Sequence, residues 1–146
     1  MLIERAELMS LIPHQDAMCL LDGVCDWNET AIRCTTGSHQ DPTNPLRQGD
    51  RLHAVHALEY GAQAMAVHGG LLARSHGRRL GAGFLAAARD VRFHVERLDT
   101  VPAPLGVEAE RLHGEGDNLI YRFRLIAGEQ LLAEGRVTVM AAEEPR

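Results

Sequence analysis

The sequence contains no lysine, so all 15 of its basic residues are arginines, and they are spread along the chain rather than clustered. The formal net charge of -5 is mildly acidic. A nucleic-acid-binding domain normally carries a basic patch or stripe, because it has to neutralise phosphates. The composition therefore argues against nucleic acid as a partner.

The chain also lacks long apolar runs and paired cysteines. No stretch reaches the roughly 18 apolar residues that a membrane-spanning helix needs. Glu4, Arg5 and Glu7 interrupt the apolar residues at the start of the chain, so we expect no signal peptide. The 3 cysteines are an odd number and form no CxxC pair, which favours reduced thiols over a disulfide framework. We therefore expect a cytoplasmic protein that makes no membrane contact.

Size and composition are those of one globular unit. The chain has 146 residues, of which 45% are apolar and 24% are charged. These values are typical of a single folded domain. We expect one domain that spans residues 1–146.

The first half of the chain combines short strand patterns with one long helical pattern. Residues 2–12 predict a short helix that ends at Pro13, and residues 18–26 and 31–36 predict two strands joined by a turn. Residues 37–50 are rich in proline, glycine and small polar side chains, which predicts a loop. Residues 51–72 are apolar or small around almost the whole helix circumference, so they predict a buried helix, with Asp50 as its cap.

Four strand patterns follow the helix, at residues 81–95, 105–112, 118–126 and 130–141. The alternation of side chains along residues 118–126 predicts a half-buried strand. The predicted order is therefore two strands, a long buried helix and four more strands. This order is expected of an α+β hot-dog fold, in which an antiparallel sheet wraps around one helix. Such a sheet leaves a strand edge and part of the helix uncovered. Pairing with a second copy covers both, so we predict a homodimer.

Three polar residues form a stripe on the buried helix. His56, Glu59 and Gln63 are three and four residues apart, which places them on one helix face, and His53 lies near it. A buried carboxyl group is costly unless it is hydrogen-bonded, paired or protonated. Glu59 is therefore a candidate general acid or base, or else a glutamate that is hydrogen-bonded at a dimer contact. A metal site formed by His53, His56 and Glu59 is a weaker alternative, because adjacent turns bring these ligands together only approximately.

His39 is the second candidate catalytic residue. It lies in the proline- and glycine-rich loop just before the helix, from which it could project over the face that carries Glu59. Histidine titrates near neutrality, so it is suited to removing a proton from carbon. A hydrogen-bonded or surface histidine is the alternative.

Two segments of the sequence resemble a known enzyme family. Residues 11–24 read LIPHQDAMCLLDGV, and Glu59 is followed at the fourth position by glutamine in the run EYGAQ. Both are similar to motifs of the 3-hydroxyacyl carrier-protein dehydratases, and residues 39–45 (HQDPTNP) are a looser match to the histidine-and-proline loop of those enzymes. The closest resemblance is to the divergent dehydratase-like group of aryl-polyene and related fatty-acid or polyketide clusters. The similarity covers residues 11–68.

The resemblance implies a hot-dog dehydratase that acts on 3-hydroxyacyl thioesters of acyl carrier protein or coenzyme A. Glu59 would be the acid and His39 the base, on different chains of a homodimer or a heterodimer. Gln63, Arg47 and His56 are candidate substrate-binding residues, and Gln63 could also hold Glu59 in place. Arg47 is a cation added to the family pattern, which could meet the phosphate of the substrate's carrier arm or pair with Asp50. No metal, nucleotide or other cofactor is implied. His14, in the opening motif, resembles a structural residue.

One departure from the family pattern bears on the base. His39 lies twenty residues before Glu59, farther away than the family's histidine, and at the family spacing this chain has Pro45. Two rival interpretations follow from the same residues. One is a hot-dog thioesterase that uses the carboxylate to activate water. The other is a catalytically weak subunit that stabilises a true dehydratase partner.

Overall fold

The computed structural model describes residues 2–12, 18–77, 80–115 and 118–143. His14 and Pro13, which belong to the opening motif, lie outside the described residues. The elements are, in chain order, β1 (Ile3–Glu4), α1 (Arg5–Met9), β2 (Gly23–Trp27), β3 (Ala31–Thr36), α2 (Ala57–Ser75), β4 (Leu80–Phe93), β5 (Leu105–Glu115), β6 (Asn118–Ala127) and β7 (Gln130–Glu143).

The seven strands form one antiparallel sheet in the order β1-β2-β3-β5-β6-β7-β4. Helix α2 lies against β3, β4, β5 and β6, and the apolar core fills the space between the helix and the sheet. This is the predicted hot-dog arrangement. Alternate residues of β6 are buried (Tyr121, Phe123 and Leu125), which confirms the half-buried strand that the sequence pattern predicts.

A glycine allows the helix to approach the sheet closely. A Cβ atom added at Gly61 would lie 2.8 Å from ring carbons of Phe123 on β6. Any larger residue at this position would have to displace either the ring or the helix. Because Gly61 lies two residues after Glu59, this contact also fixes the depth at which the start of α2 sits above the sheet.

The prediction that Asp50 caps the helix is wrong. Helix α2 begins at Ala57, after a 3-10 turn at Ala54–His56, and has no side-chain cap. The chain is extended at His53, just before this turn, and it is held there because Leu52 donates its N–H to the Asp99 carboxylate and Ala54 donates its N–H to the Glu96 carbonyl. A helix that began at residue 51 would direct the Leu52 carbonyl to the His56 N–H, whereas in the structure this carbonyl accepts from the Leu98 N–H at 2.7 Å.

Two other predicted elements are shorter in the structure. The first helix covers Arg5–Met9 only, because Ile3 and Glu4 pair with β2 instead. The strand predicted from residue 18 begins at Gly23. The backbone of Leu20 bonds to side chains, accepting hydrogen bonds from Thr36 and Ser38 and donating one to Gln63.

A buried histidine ties the C-terminal half of α2 to the sheet. His68 is fully buried; its Nε2 donates to the Asn28 carbonyl at 2.9 Å, so its Nδ1 accepts from the Tyr121 hydroxyl at 2.7 Å. Desolvation holds the pKa of His68 below its ordinary value of 6.5. The folded chain therefore keeps this ring neutral.

We expect the free energy of unfolding to decrease as the pH falls below 6.5. Above that pH the ring is neutral in both states, whereas below it the unfolded chain binds a proton that folded His68 excludes. In His68→Gln, whose amide can still donate to Asn28, this pH dependence should be weaker. Chemical denaturation of both proteins from pH 7.5 to pH 5 measures the difference, and parallel curves would show that His68 has no part in it.

Candidate functional site

Glu59 lies in the first turn of α2, where the structure places it beside Gln63. The Gln63 Nε2 donates a hydrogen bond to Glu59 Oε1 at 3.0 Å. Glu59 is half-buried and Gln63 is fully buried. The two are one helical turn apart, so the predicted polar stripe brings these side chains together.

Both the oxygen and the nitrogen of the Gln63 amide are hydrogen-bonded, and these bonds join the start of α2 to the segment before β2. Its Oε1 accepts from the Leu20 N–H at 2.8 Å, and its Nε2 also donates to the Met18 carbonyl at 2.8 Å. These bonds determine which end of the amide faces Glu59, because only a donor can serve Met18. Gln63 therefore presents an N–H to the carboxyl group of Glu59 and joins it to the segment before β2.

His39 lies in a 3-10 turn, Ser38–Gln40, directly after β3, and it is fully buried. Its Nε2 donates to the Val101 carbonyl at 3.0 Å, so in the neutral ring Nδ1 carries the lone pair. Nδ1 has no hydrogen-bond partner within the part of the chain that the structure describes. Burial lowers the pKa of His39 below 6.5, which keeps the ring neutral and its lone pair available at neutral pH.

Arg47 supports the backbone of this turn. Its guanidinium group donates to the His39 carbonyl at 3.1 Å and to the Asp50 carbonyl at 3.1 Å. The predicted pairing of Arg47 with Asp50 is therefore made through the main chain. Because two of its nitrogens are engaged in this way, Arg47 acts as a brace for the His39 segment, and its role in binding substrate stays a prediction.

His56 immediately precedes the first residue of α2 and is half-buried. Its pKa is lowered by desolvation and by the charge of His53, and Glu59 opposes this shift. The start of the helix therefore carries His53, His56 and Glu59 within electrostatic reach of one another. Over the described ranges, no group of three histidine, cysteine, aspartate or glutamate side chains is placed to hold a metal ion.

Glu59 and His39 are hydrogen-bonded to different neighbours within one chain. The carboxyl group of Glu59 bonds to Gln63, whereas the ring of His39 bonds to Val101 in the segment between β4 and β5. Both residues lie beside the N-terminal part of α2, but different segments of the chain hold their side chains in place. The structure thus brings Glu59 and Gln63 together, while the meeting of His39 with Glu59, on one chain or across two, stays a prediction.

Three polar residues that were not identified from the sequence lie between the His39 turn and α2: Ser38, Asn44 and Tyr60. The hydroxyl of Tyr60 bonds to Ser38 Oγ at 2.8 Å and accepts from Asn44 Nδ2 at 3.1 Å. Burial raises the pKa of Tyr60, so it stays protonated. The available signal was a tyrosine in an otherwise apolar and small helix, directly after Glu59.

Comparison with known proteins identifies the family. A family model described as ApeP dehydratase, of the ApeP-like family, matches residues 6–146. A search of curated proteins gave no significant match. No helix among the described residues is long and apolar enough to cross a membrane.

Similar solved structures share the fold. A chain of the dehydratase heterocomplex ApeI:P from Xenorhabdus doucetiae has a TM-score of 0.83 and 20% identity, with 94% of this chain and 91% of that chain covered. A hypothetical thioesterase protein with coenzyme A from Streptococcus pneumoniae has a TM-score of 0.59 and 12% identity, with 84% and 87% covered. At these identities the likeness establishes the fold alone. Because the family model spans nearly the whole chain, this protein belongs to the ApeP-like dehydratase family.

Proposed function

We propose that this chain dehydrates 3-hydroxyacyl thioesters to trans-2-enoyl thioesters in aryl-polyene or related fatty-acid or polyketide biosynthesis. The observation that supports this most is the Glu59–Gln63 pair in the first turn of α2, in a chain of the ApeP-like dehydratase family. The substrate would be carried by acyl carrier protein or coenzyme A in the cytoplasm.

The proposed reaction needs one base and one acid. The base removes the proton on the carbon next to the thioester carbonyl, and the electron pair of that C–H bond forms the new double bond. The C–O bond at the third carbon breaks, and the departing hydroxyl takes a proton from the acid and leaves as water. In this scheme Glu59 is the acid, and the hydrogen bond from Gln63 orients its carboxyl group.

The base in this scheme is His39, acting through Nδ1. The bond from Nε2 to Val101 fixes the tautomer, and the lowered pKa keeps the ring unprotonated at neutral pH. Because the ring is fully buried in the single chain, this role requires the substrate channel to open beside residues 38–40. The same mechanism has a second version, in which a histidine from a partner subunit is the base in place of His39.

The thioester carbonyl would be polarised by the start of α2. The unpaired N–H groups of a helix N-terminus carry partial positive charge, which stabilises negative charge developing on an oxygen. The N–H of Ala57 bonds to the Ala54 carbonyl in the preceding 3-10 turn, so α2 would act through its dipole, whose positive end lies in the same turn as Glu59.

We further propose that the working unit contains a second hot-dog subunit, since the similar ApeI:P structure is named a dehydratase heterocomplex. Strand β4 lies at the end of the sheet order, and its residues 87–90 are exposed. On α2, partly exposed and mostly small residues recur along one face: Leu58, Ala62, Ala66, Gly69 and Ala73. A partner on this side would cover both features, whether it is a second copy or a different chain.

The test compares two substrates in parallel. The purified chain, alone and together with a hot-dog subunit encoded beside its gene, is given a 3-hydroxyacyl thioester and a saturated acyl thioester. Formation of the enoyl thioester supports the proposal, and free acid from both substrates would identify a thioesterase. Enoyl product that appears only with the partner would assign this chain to a two-subunit dehydratase.

A further inference from the structure

The buried side chain of Tyr60 and the half-buried side chain of Ser38 connect the helix that carries Glu59 to the loop that carries His39. Tyr60 directly follows Glu59 in α2, and Ser38 directly precedes His39. The hydroxyl groups of Tyr60 and Ser38 are 2.8 Å apart. This bond therefore joins the immediate neighbours of both candidate catalytic residues.

The direction of the bond follows from the other partners. Ser38 Oγ donates its only proton to the Leu20 carbonyl at 2.7 Å, so Tyr60 donates in the bond between the two hydroxyls. The Tyr60 oxygen in turn accepts from Asn44 Nδ2, which also donates to the Ser38 carbonyl at 2.8 Å. The Tyr60 proton therefore has Ser38 Oγ as its acceptor, and the two protons of the Asn44 amide bond to the Tyr60 oxygen and the Ser38 carbonyl.

A second series of hydrogen bonds, through Leu20, also connects the His39 turn to Glu59. Ser38 bonds to the carbonyl of Leu20, the N–H of Leu20 bonds to Gln63, and Gln63 bonds to Glu59. The turn that carries His39 is thus connected to α2 directly by Tyr60 and indirectly by Leu20 and Gln63. Tyr60 is fully buried, so water cannot replace its bond without disturbing the packing.

We propose that Tyr60 is a positioning residue, whose hydroxyl holds the His39 turn in a fixed place relative to Glu59. This inference rests on the proposed function, because it gives His39 and Glu59 their roles. Tyr60 itself takes no part in the chemistry. Loss of its hydroxyl displaces the His39 ring while leaving the binding of the acyl chain and its carrier intact.

The test uses Tyr60→Phe, with Tyr121→Phe as a matched control. Both tyrosines are buried and each donates one hydrogen bond to another side chain, but Tyr121 donates to His68, at a separate place on α2. We expect Tyr60→Phe to lower kcat about tenfold with little change in KM, since small misplacements of reacting groups are costly. The control should lose a similar amount of thermal stability and keep its kcat. Equal kcat values for the two variants would overturn the proposal.

A measurement independent of activity separates this proposal from the proposed function. The ring ¹⁵N signals of His39 report its tautomer and protonation. In Tyr60→Phe these signals should shift, and the pKa of His39 should move up towards 6.5 as water enters; in Tyr121→Phe both should be unchanged. Unchanged His39 signals in Tyr60→Phe would overturn the proposal even in an active enzyme. Should Tyr60→Phe not fold, Ser38→Ala removes the same bond from the other side and is judged by the same shifts.

Discussion

Replacing Glu59 with glutamine is expected to lower kcat by about 10²- to 10⁴-fold, the usual contribution of a general acid. Glutamine has the same shape, and its carbonyl oxygen can still accept the hydrogen bond that Gln63 donates. The change therefore removes the acid and leaves its surroundings in place. The fold should be retained, and a steady-state assay of enoyl product measures the loss.

Glu110→Gln is the matched control for this prediction. Glu110 is an exposed carboxylate on β5, where it pairs with Arg122 at 2.8 Å. Exposed pairs of this kind contribute about 1 kcal/mol or less, so the variant should keep wild-type stability and turnover. Comparable turnover in Glu59→Gln and Glu110→Gln would remove Glu59 from the mechanism.

Replacing His39 with glutamine is expected to reduce kcat by about 10²- to 10⁴-fold as well, because the chain loses its proposed base. The glutamine amide nitrogen reaches the position of Nε2 and can still donate to the Val101 carbonyl. It provides no basic lone pair at the position of Nδ1. In the wild type, kcat/KM should fall on acidification only below pH 6.5, because burial lowers the pKa of His39 and the base fails when it is protonated.

His94→Gln is the control for His39→Gln. His94 is an exposed histidine that pairs with Glu134 at 3.0 Å, and its replacement should leave both turnover and the pH profile unchanged. Wild-type rates in His39→Gln, with Glu59→Gln inactive, would remove His39 from the mechanism; if the enoyl product then formed only with the partner subunit, the base would come from that subunit. That outcome would favour the version of the mechanism in which the partner subunit supplies the histidine.

The overall fold could be predicted because its signals are local and periodic. The apolar and small residues of α2 and the alternation along β6 identify a buried helix and a half-buried strand directly. The start of the helix could not be predicted. It depends on Leu52 and Ala54 bonding to residues more than forty positions later, and these contacts exist only in the folded chain.

The same distinction applies to the site. Gln63 could be placed beside Glu59 from the sequence, because one helical turn separates them whatever the rest of the chain does. The surroundings of His39 could not, since its ring bonds to Val101, which is 62 residues away. The hydrogen bonds of Tyr60 could not be predicted for a related reason: its partners, Ser38 and Asn44, lie in a loop whose path no periodicity reveals.

The most direct test of the mechanism is a structure of the Glu59→Gln protein, with its partner subunit, bound to a 3-hydroxyacyl pantetheine amide that cannot turn over. We expect the 3-hydroxyl group to lie within about 2.6–3.2 Å of the residue 59 side chain, with the second carbon of the acyl chain facing the ring of His39. A ligand whose hydroxyl group lies away from residue 59 would show that Glu59 is not the acid.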